Sequence, residues 1–281
     1  MRRFRYVICD VFTDVALAGN QLAVFTDARD LTAEDMQTLA REMNLSETVF
    51  CLPPSSPDAD VRIRIFTPAT ELPFAGHPTL GTAFVLGGPL SKIVVRLETA
   101  AGVVPVELER DGARIVFGRM EQPIPTWEPV ADPAPIFAAL GVAGSGLPVE
   151  RYELGPGHVY VELPSAEAVA ALAPDIGALA RATDDGTNCF ARDGARWKTR
   201  MFAPNHGVVE DPATGSAAGP LAVHLARHGR IAFGERIEIA QGAEIGRPST
   251  LFAEAHGTAE RIERVVVGGS AVVVARGQFS F

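Results

Sequence analysis

Two stretches of this chain hold residues of the kind that do chemistry. Residues 71–81 read ELPFAGHPTLG, and residues 210–221 read EDPATGSAAGPL. Each runs from an acid through a proline to a glycine and on into a small, apolar run of helical character. Gly76 and Gly215 let the backbone turn sharply and approach a ligand. A helix starting there presents unpaired N–H groups and the positive end of its dipole, a place for a carboxylate or another anion. His77 and Ser216 follow the two glycines directly. His77 at a helix start is expected to be held partly neutral by the dipole and to hydrogen-bond a hydroxyl or amine. Ser216 offers a hydroxyl and a backbone N–H, but not in the setting of a nucleophile elbow, so hydrolase chemistry is a poor fit. Asp211 is placed to orient His77 or to bind an amino group. A further acid, Glu47, is expected in a loop entering a strand over residues 49–52. There Leu45 and Val49 would desolvate its carboxyl and suit it to carry a proton near neutrality. Each residue also has a plainer reading: helix caps for His77 and Ser216, a first-turn acid for Asp211, a solvated loop acid for Glu47.

Setting Glu71 on Glu210, a shift of 139 in 281 residues, places Pro73 on Pro212, Gly76 on Gly215 and His77 on Ser216. Upstream, Arg64-Ile-Phe66-Thr-Pro68 matches Arg200-Met-Phe202-Ala-Pro204, with three extra residues before the acid in the second copy. Internal duplication follows. It predicts two helix starts related by pseudo-symmetry, facing one another across a cleft where small ligands bind.

The elements that must carry these residues are short and separated by turns, as 27 glycines and 21 prolines require. A helix is predicted over 32–43, with Thr32 as N-cap and Glu34 and Asp35 in its first turn. Further helices should start at His77 and Ser216. Asp111-Gly112 and Gly268-Gly269 each read as the turn of a β-hairpin. The proline-rich stretch Glu121–Pro135 reads as a linker, giving domains over 1–122 and 123–281.

Composition excludes several classes. The net charge of −9, from 25 Lys+Arg against 34 Asp+Glu, argues against nucleic-acid or acidic-membrane binding. The most apolar C-terminal run, 265–275, is too short for the roughly 20 residues of a membrane helix. Three scattered cysteines, Cys9, Cys51 and Cys189, suit a reduced, cytoplasmic setting. His224 and His228 have i, i+4 spacing but no third ligand nearby in sequence, so they read as an ordinary helix face and no metal is expected.

The motifs Asn44-Leu45-Ser46-Glu47-Thr48, Glu71–Thr79 and Asp211-Pro212-Ala213-Thr214-Gly215-Ser216 together resemble the PhzF-like phenazine-biosynthesis isomerases. Gly19–Val24, Gln241-Gly242 and Gly246–Ser249 fit as well, in the same order along the chain. The resemblance implies the diaminopimelate-epimerase-like α+β fold: two pseudo-symmetric domains, each a mostly antiparallel sheet around a central helix. In that fold the final strand, near 271–281, can return to the first domain. It also implies a homodimer and an isomerase that needs no cofactor, moving a proton and a double bond on a small anionic substrate. Glu47 would be the acid/base, supported by His77 and Asp211, with Asn20, Gly76, Gly215, Ser216 and Ala217 on the substrate. Epimerases of this fold use a cysteine before each glycine, whereas this chain has Ala75 and Thr214 there. Two-thiol racemisation is thereby excluded. An epimerase working without thiols and a non-catalytic ligand-binding protein are the competing expectations.

Overall fold

Thr32 shows how local chemistry sets the elements in this computed structural model, which describes residues 2–281. Its hydroxyl accepts from the Asp35 N–H, and the Asp35 carboxylate accepts from the Thr32 N–H, closing a capping box. The helix behind it, α1 (Ala33–Met43), buries Met36, Leu39 and Ala40 and ends at Asn44 in the left-handed conformation. That leaves the chain free to start a strand at Glu47.

The chain divides into two units, one holding residues through Gln122 together with Val267–Phe281, the other Pro123–Val266. The first contains β1 (Arg3–Val11), β2 (Asn20–Phe25), α1, β3 (Glu47–Leu52), β4 (Val61–Phe66), β5 (Glu71–Leu72), α2 (Gly76–Leu90), β6 (Val94–Thr99), β7 (Gly102–Asp111) and β8 (Arg114–Gln122). The second contains β9 (Thr126–Pro129), α3 (Ala134–Leu140), β10 (Glu150–Glu153), β11 (Gly157–Glu162), α4 (Ala166–Ala170), α5 (Ile176–Ala182), β12 (Gly186–Asp193), β13 (Arg196–Ala203), β14 (Val208–Asp211), α6 (Gly215–Arg227), β15 (Ile237–Gln241) and β16 (Ser249–Gly257). β17 (Ile262–Gly269) then leads to β18 (Ala271–Ser280).

Strand pairing repeats from unit to unit. β1–β2 is antiparallel, β2–β3 parallel, β3–β4 and β4–β5 antiparallel, β4–β6 parallel and β6–β7 antiparallel. The same senses hold for β10–β11, β11–β12, β12–β13, β13–β14, β13–β15 and β15–β16. Helices α2 and α6 are buried along nearly their whole lengths, so each unit is a mostly antiparallel sheet around one central helix.

Two expectations are corrected. Gly268-Gly269 does not form a two-residue hairpin turn: neither glycine has positive φ, which the primed turns require. Instead β18 runs antiparallel to β1, from Arg3 opposite Ser280 to Val11 opposite Ala271. The supposed linker contains a strand, β9, paired with β10. Trp127 anchors it by stacking on Tyr152, with the Arg227 guanidinium 4.2 Å from the indole centroid.

The duplicated acids prove to be structural pins. Arg64 grips Glu71 through two parallel bonds of 2.7 and 2.6 Å, and Arg200 grips Glu210 at 2.9 and 2.7 Å. Each arginine also lies over the phenylalanine two residues on, Phe66 or Phe202, at 5.1 and 5.0 Å. These clamps close β5 on β4 and β14 on β13, which aims the chain into each central helix. Their settings differ. The Arg200 and Glu210 side chains are both 9% exposed, and Arg200 also donates to the carbonyls of Ala170 and Leu172. The Arg64 and Glu71 side chains are 22% and 38% exposed. Removing a partner from the buried pair strands a charge, so Arg200→Ala should lower unfolding free energy by about 3–5 kcal/mol. Arg64→Ala should cost about 1 kcal/mol or less. Chemical denaturation of both variants checks this; equal losses would contradict it.

Candidate active site

In the first unit, Asn20 opens β2, Glu47 opens β3 and His77 is the second residue of α2. Asn20 is set by Gly19, which has φ +68° and no space for a side chain, since a Cβ there would run into the Val11 carbonyl. His77 is buried between the other two. Its Nδ1 lies 3.3 Å from Asn20 Nδ2, and its Nε2 lies 3.4 Å from Glu47 Oε2. With the Asn20 amide donating to Nδ1, the neutral ring carries its proton on Nε2, the nitrogen beside the Glu47 carboxylate. Burial pushes the His77 pKa down to about 3, against a smaller opposing effect from a hydrogen bond with the Gln21 backbone. The ring is therefore neutral, as expected, but desolvation is the cause rather than the helix dipole. Nor is His77 a cap: the N-cap of α2 is Ala75, without a side-chain bond.

In the second unit, Asp211 ends β14 and Thr214 precedes α6. Thr214 Oγ1 donates to Asp211 Oδ2 at 2.5 Å. Gln241 locks this turn, donating to the Asp211 carbonyl at 2.8 Å and to Thr214 Oγ1 at 3.0 Å. Its amide oxygen accepts from Thr199 Oγ1 and the Thr214 N–H. Ser216 is the second residue of α6, as His77 is of α2, and its hydroxyl is not a cap either. It lies 3.0 Å from Nε2 of His158, at the start of β11. Gly215 and Ala217 flank it, both buried.

His158 was not singled out as a site residue from the sequence. It belongs to no motif, and its partner is 58 residues away. The register explains its place. Thr48 pairs with Phe66 in β3–β4, and Thr187 pairs with Phe202 in β12–β13, so Gly186 is the counterpart of Glu47. His158 lies opposite Gly186. A Cβ at Gly186 would stand 2.8 Å from His158 Nδ1 and 3.0 Å from Met201 Sδ. The second unit therefore has no room for an acid at the position equivalent to Glu47.

Other groups are occupied or lie apart. Glu150 supplies the third side chain that His224 and His228 lacked in the sequence, its Oε2 lying 3.0 and 3.1 Å from their ring nitrogens. The same oxygen accepts from Arg227 at 2.7 Å and Tyr152 at 2.8 Å, so a guanidinium already neutralises it. A concavity of about 810 Å³ on the second unit is walled by Ser145, Arg192, Trp197 and Arg230 and includes none of the residues above. The three cysteines are buried free thiols with pKa values raised by burial, Cys51 and Cys189 to about 12, and so are not bases.

The buried rings make acid sensitivity a test of this geometry. Burial lowers both His77 and His158 to about 3, against 6.5 for a free histidine. A depressed folded pKa contributes stability that is present above the unfolded pKa and lost as pH falls through it toward the folded one. In the double variant His77→Gln/His158→Gln, the fall in unfolding free energy below about pH 6 should be shallower, by up to about 1.4 kcal/mol per pH unit for each ring removed. Denaturant titrations across this range give the slope; an unchanged slope would contradict the burial of neutral rings.

Comparisons with known proteins agree with the fold. The family model described as phenazine biosynthesis-like protein matches residues 9–277. A curated relative from Pseudomonas aeruginosa, named trans-2,3-dihydro-3-hydroxyanthranilate isomerase, is 54% identical over 98% of this chain and 98% of its own length. A PhzF-family phenazine biosynthesis protein from Bacillus anthracis has the same fold, with TM-score 0.86 at 24% identity over the full length of both chains. A hydroxyproline epimerase from Agrobacterium vitis shares the fold at TM-score 0.71 and 13% identity, over 99% of this chain and 92% of that one. With the duplicated topology and the motif residues in place, the chain belongs to the phenazine biosynthesis-like protein family.

Proposed function

We propose that Glu47 is the acid/base of this isomerase, and that it moves a proton, and with it a double bond, on a ring of the dihydro-hydroxyanthranilate type. The observation that carries the assignment is the Glu47 carboxylate beside the Nε2 of a buried, neutral His77 that Asn20 positions. The ionised carboxylate accepts a proton from one ring carbon and delivers it to another, so it ends the cycle as it began. A neutral imidazole suits this role. It stands beside the carboxylate without the charge of an imidazolium, which would stabilise the ionised form and weaken the base. Redistribution of electrons along the substrate's own double bonds needs no further redox or electrophilic group, so the proposal includes no cofactor.

The remaining assignments belong to the same reading. Asn20 and Gly76 in the first unit, and Asp211, Gly215, Ser216 and Ala217 in the second, contact the substrate. The locked Asp211–Thr214 turn supports a fixed acceptor for a substrate amino group, and Ser216 a polar contact for a carboxylate. Homodimer formation and a cytoplasmic location, expected from the resemblance and from three reduced cysteines, are part of this proposal. Among the described residues no helix is long and apolar enough to cross a membrane.

Incubation with trans-2,3-dihydro-3-hydroxyanthranilate should consume the substrate, and Glu47→Gln should lower kcat by about 10²–10⁴-fold with unchanged thermal stability. Turnover by that variant at the wild-type rate would remove Glu47 from the mechanism. Inversion of an amino-acid centre without double-bond movement would select an epimerase instead.

A further inference from the structure

Ser216 can hydrogen-bond a ligand in two ways, as donor or as acceptor, and its one side-chain partner among the described residues decides which. His158 is buried, and its Nε2 lies 3.0 Å from Ser216 Oγ. Its other nitrogen, Nδ1, is also buried and has no hydrogen-bond partner among the described residues. Burial, with smaller electrostatic effects from His206 and Arg151, keeps the ring neutral.

A neutral ring has two tautomers. With the proton on Nδ1, an N–H donor is stranded in the interior, and Nε2 accepts a hydrogen bond from the serine hydroxyl. With the proton on Nε2, only a lone pair is left unmatched at Nδ1, and Nε2–H donates to Ser216 Oγ. Stranded buried N–H groups are rarer in proteins than under-used acceptors, and a buried donor left unmade costs its full desolvation. The second tautomer is favoured. It occupies a lone pair of the serine oxygen and leaves the hydroxyl proton free.

We infer that His158 is a positioning residue that fixes the Ser216 hydroxyl as a hydrogen-bond donor, so that this position selects an anionic oxygen on the ligand, of the carboxylate class, over an ammonium group. Gly186 is the local requirement for this arrangement, because any side chain there would displace the ring. The inference rests on the reading of Ser216 as a substrate contact, but the state of the His158 ring can be read without any substrate.

Long-range ¹H–¹⁵N correlation spectra of the histidine-labelled protein should show His158 as the neutral Nε2–H tautomer from pH 8 to about pH 5. An Nδ1–H tautomer, or a ring protonated at about pH 6, overturns the inference. A kinetic arm uses the proposed substrate. Gln places an amide N–H near the position of Nε2–H, so His158→Gln should keep KM within about threefold. His158→Phe removes the donor and should raise KM about tenfold or more, with a smaller change in kcat. Equal KM in the two variants overturns the inference. If the wild type does not turn the substrate over at all, the isomerase reading fails, and the spectra still decide the tautomer.

Discussion

A polar side chain at the second position of a buried helix has to be satisfied inside its own unit, and both functional constellations grow from that constraint. Neither central helix has a side-chain cap, so His77 and Ser216 are available for other partners. Leaving either unmatched would cost on the order of 1–3 kcal/mol. Each is met by a residue at the start of a neighbouring strand: His77 by Asn20, Ser216 by His158. The imidazole sits on the helix in one unit and on the strand in the other. The same geometric problem is solved with the two chemical roles exchanged.

That exchange accounts for the asymmetry of the proposed chemistry. In the first unit the ring projects from the helix, and the start of β3 has space for a carboxylate beside it. In the second the ring comes from β11 and fills the space over β12, where Gly186 replaces the acid. In the proposed reaction, one unit therefore carries a mobile proton on Glu47, and the other carries fixed hydrogen-bonding groups. A two-thiol epimerase needs a base in both halves. This chain has Ala75 and Thr214 at those places, and Thr214 is committed to Asp211 and Gln241. The differences between the units lie in side chains, while strand order and the Arg–Glu clamps are held in common.

Much of this was legible in the sequence where the signal is local. The Thr32 cap with its first-turn acids and the Asp111-Gly112 turn, where Gly112 has φ +58°, all depend on neighbours a few residues apart. The duplication was legible because the clamp needs both an arginine and an acid in each copy, although their purpose was not. Gly268-Gly269 was misread because a glycine pair states only what conformations are permitted, while the pairing of β18 with β1 is a long-range contact. β9 was hidden by the prolines in and around it, and its anchor, Trp127 on Tyr152, is a long-range contact. His158 and Gly186 were missed for the same reason: each is explained only by the other, across a parallel strand pair. Among the candidate site residues, Glu47, His77 and Asn20 were named from motif and resemblance, and the structure brings these three together.

In the proposed mechanism, a single carboxyl in the first unit carries the proton. Deuterium uptake from D₂O into a carbon-bound position of substrate or product measures it directly, run on the wild type and on Glu47→Gln at matched thermal stability. Catalysed uptake is expected for the wild type, and none above the uncatalysed background for the variant. Uptake by Glu47→Gln at the wild-type rate would contradict it.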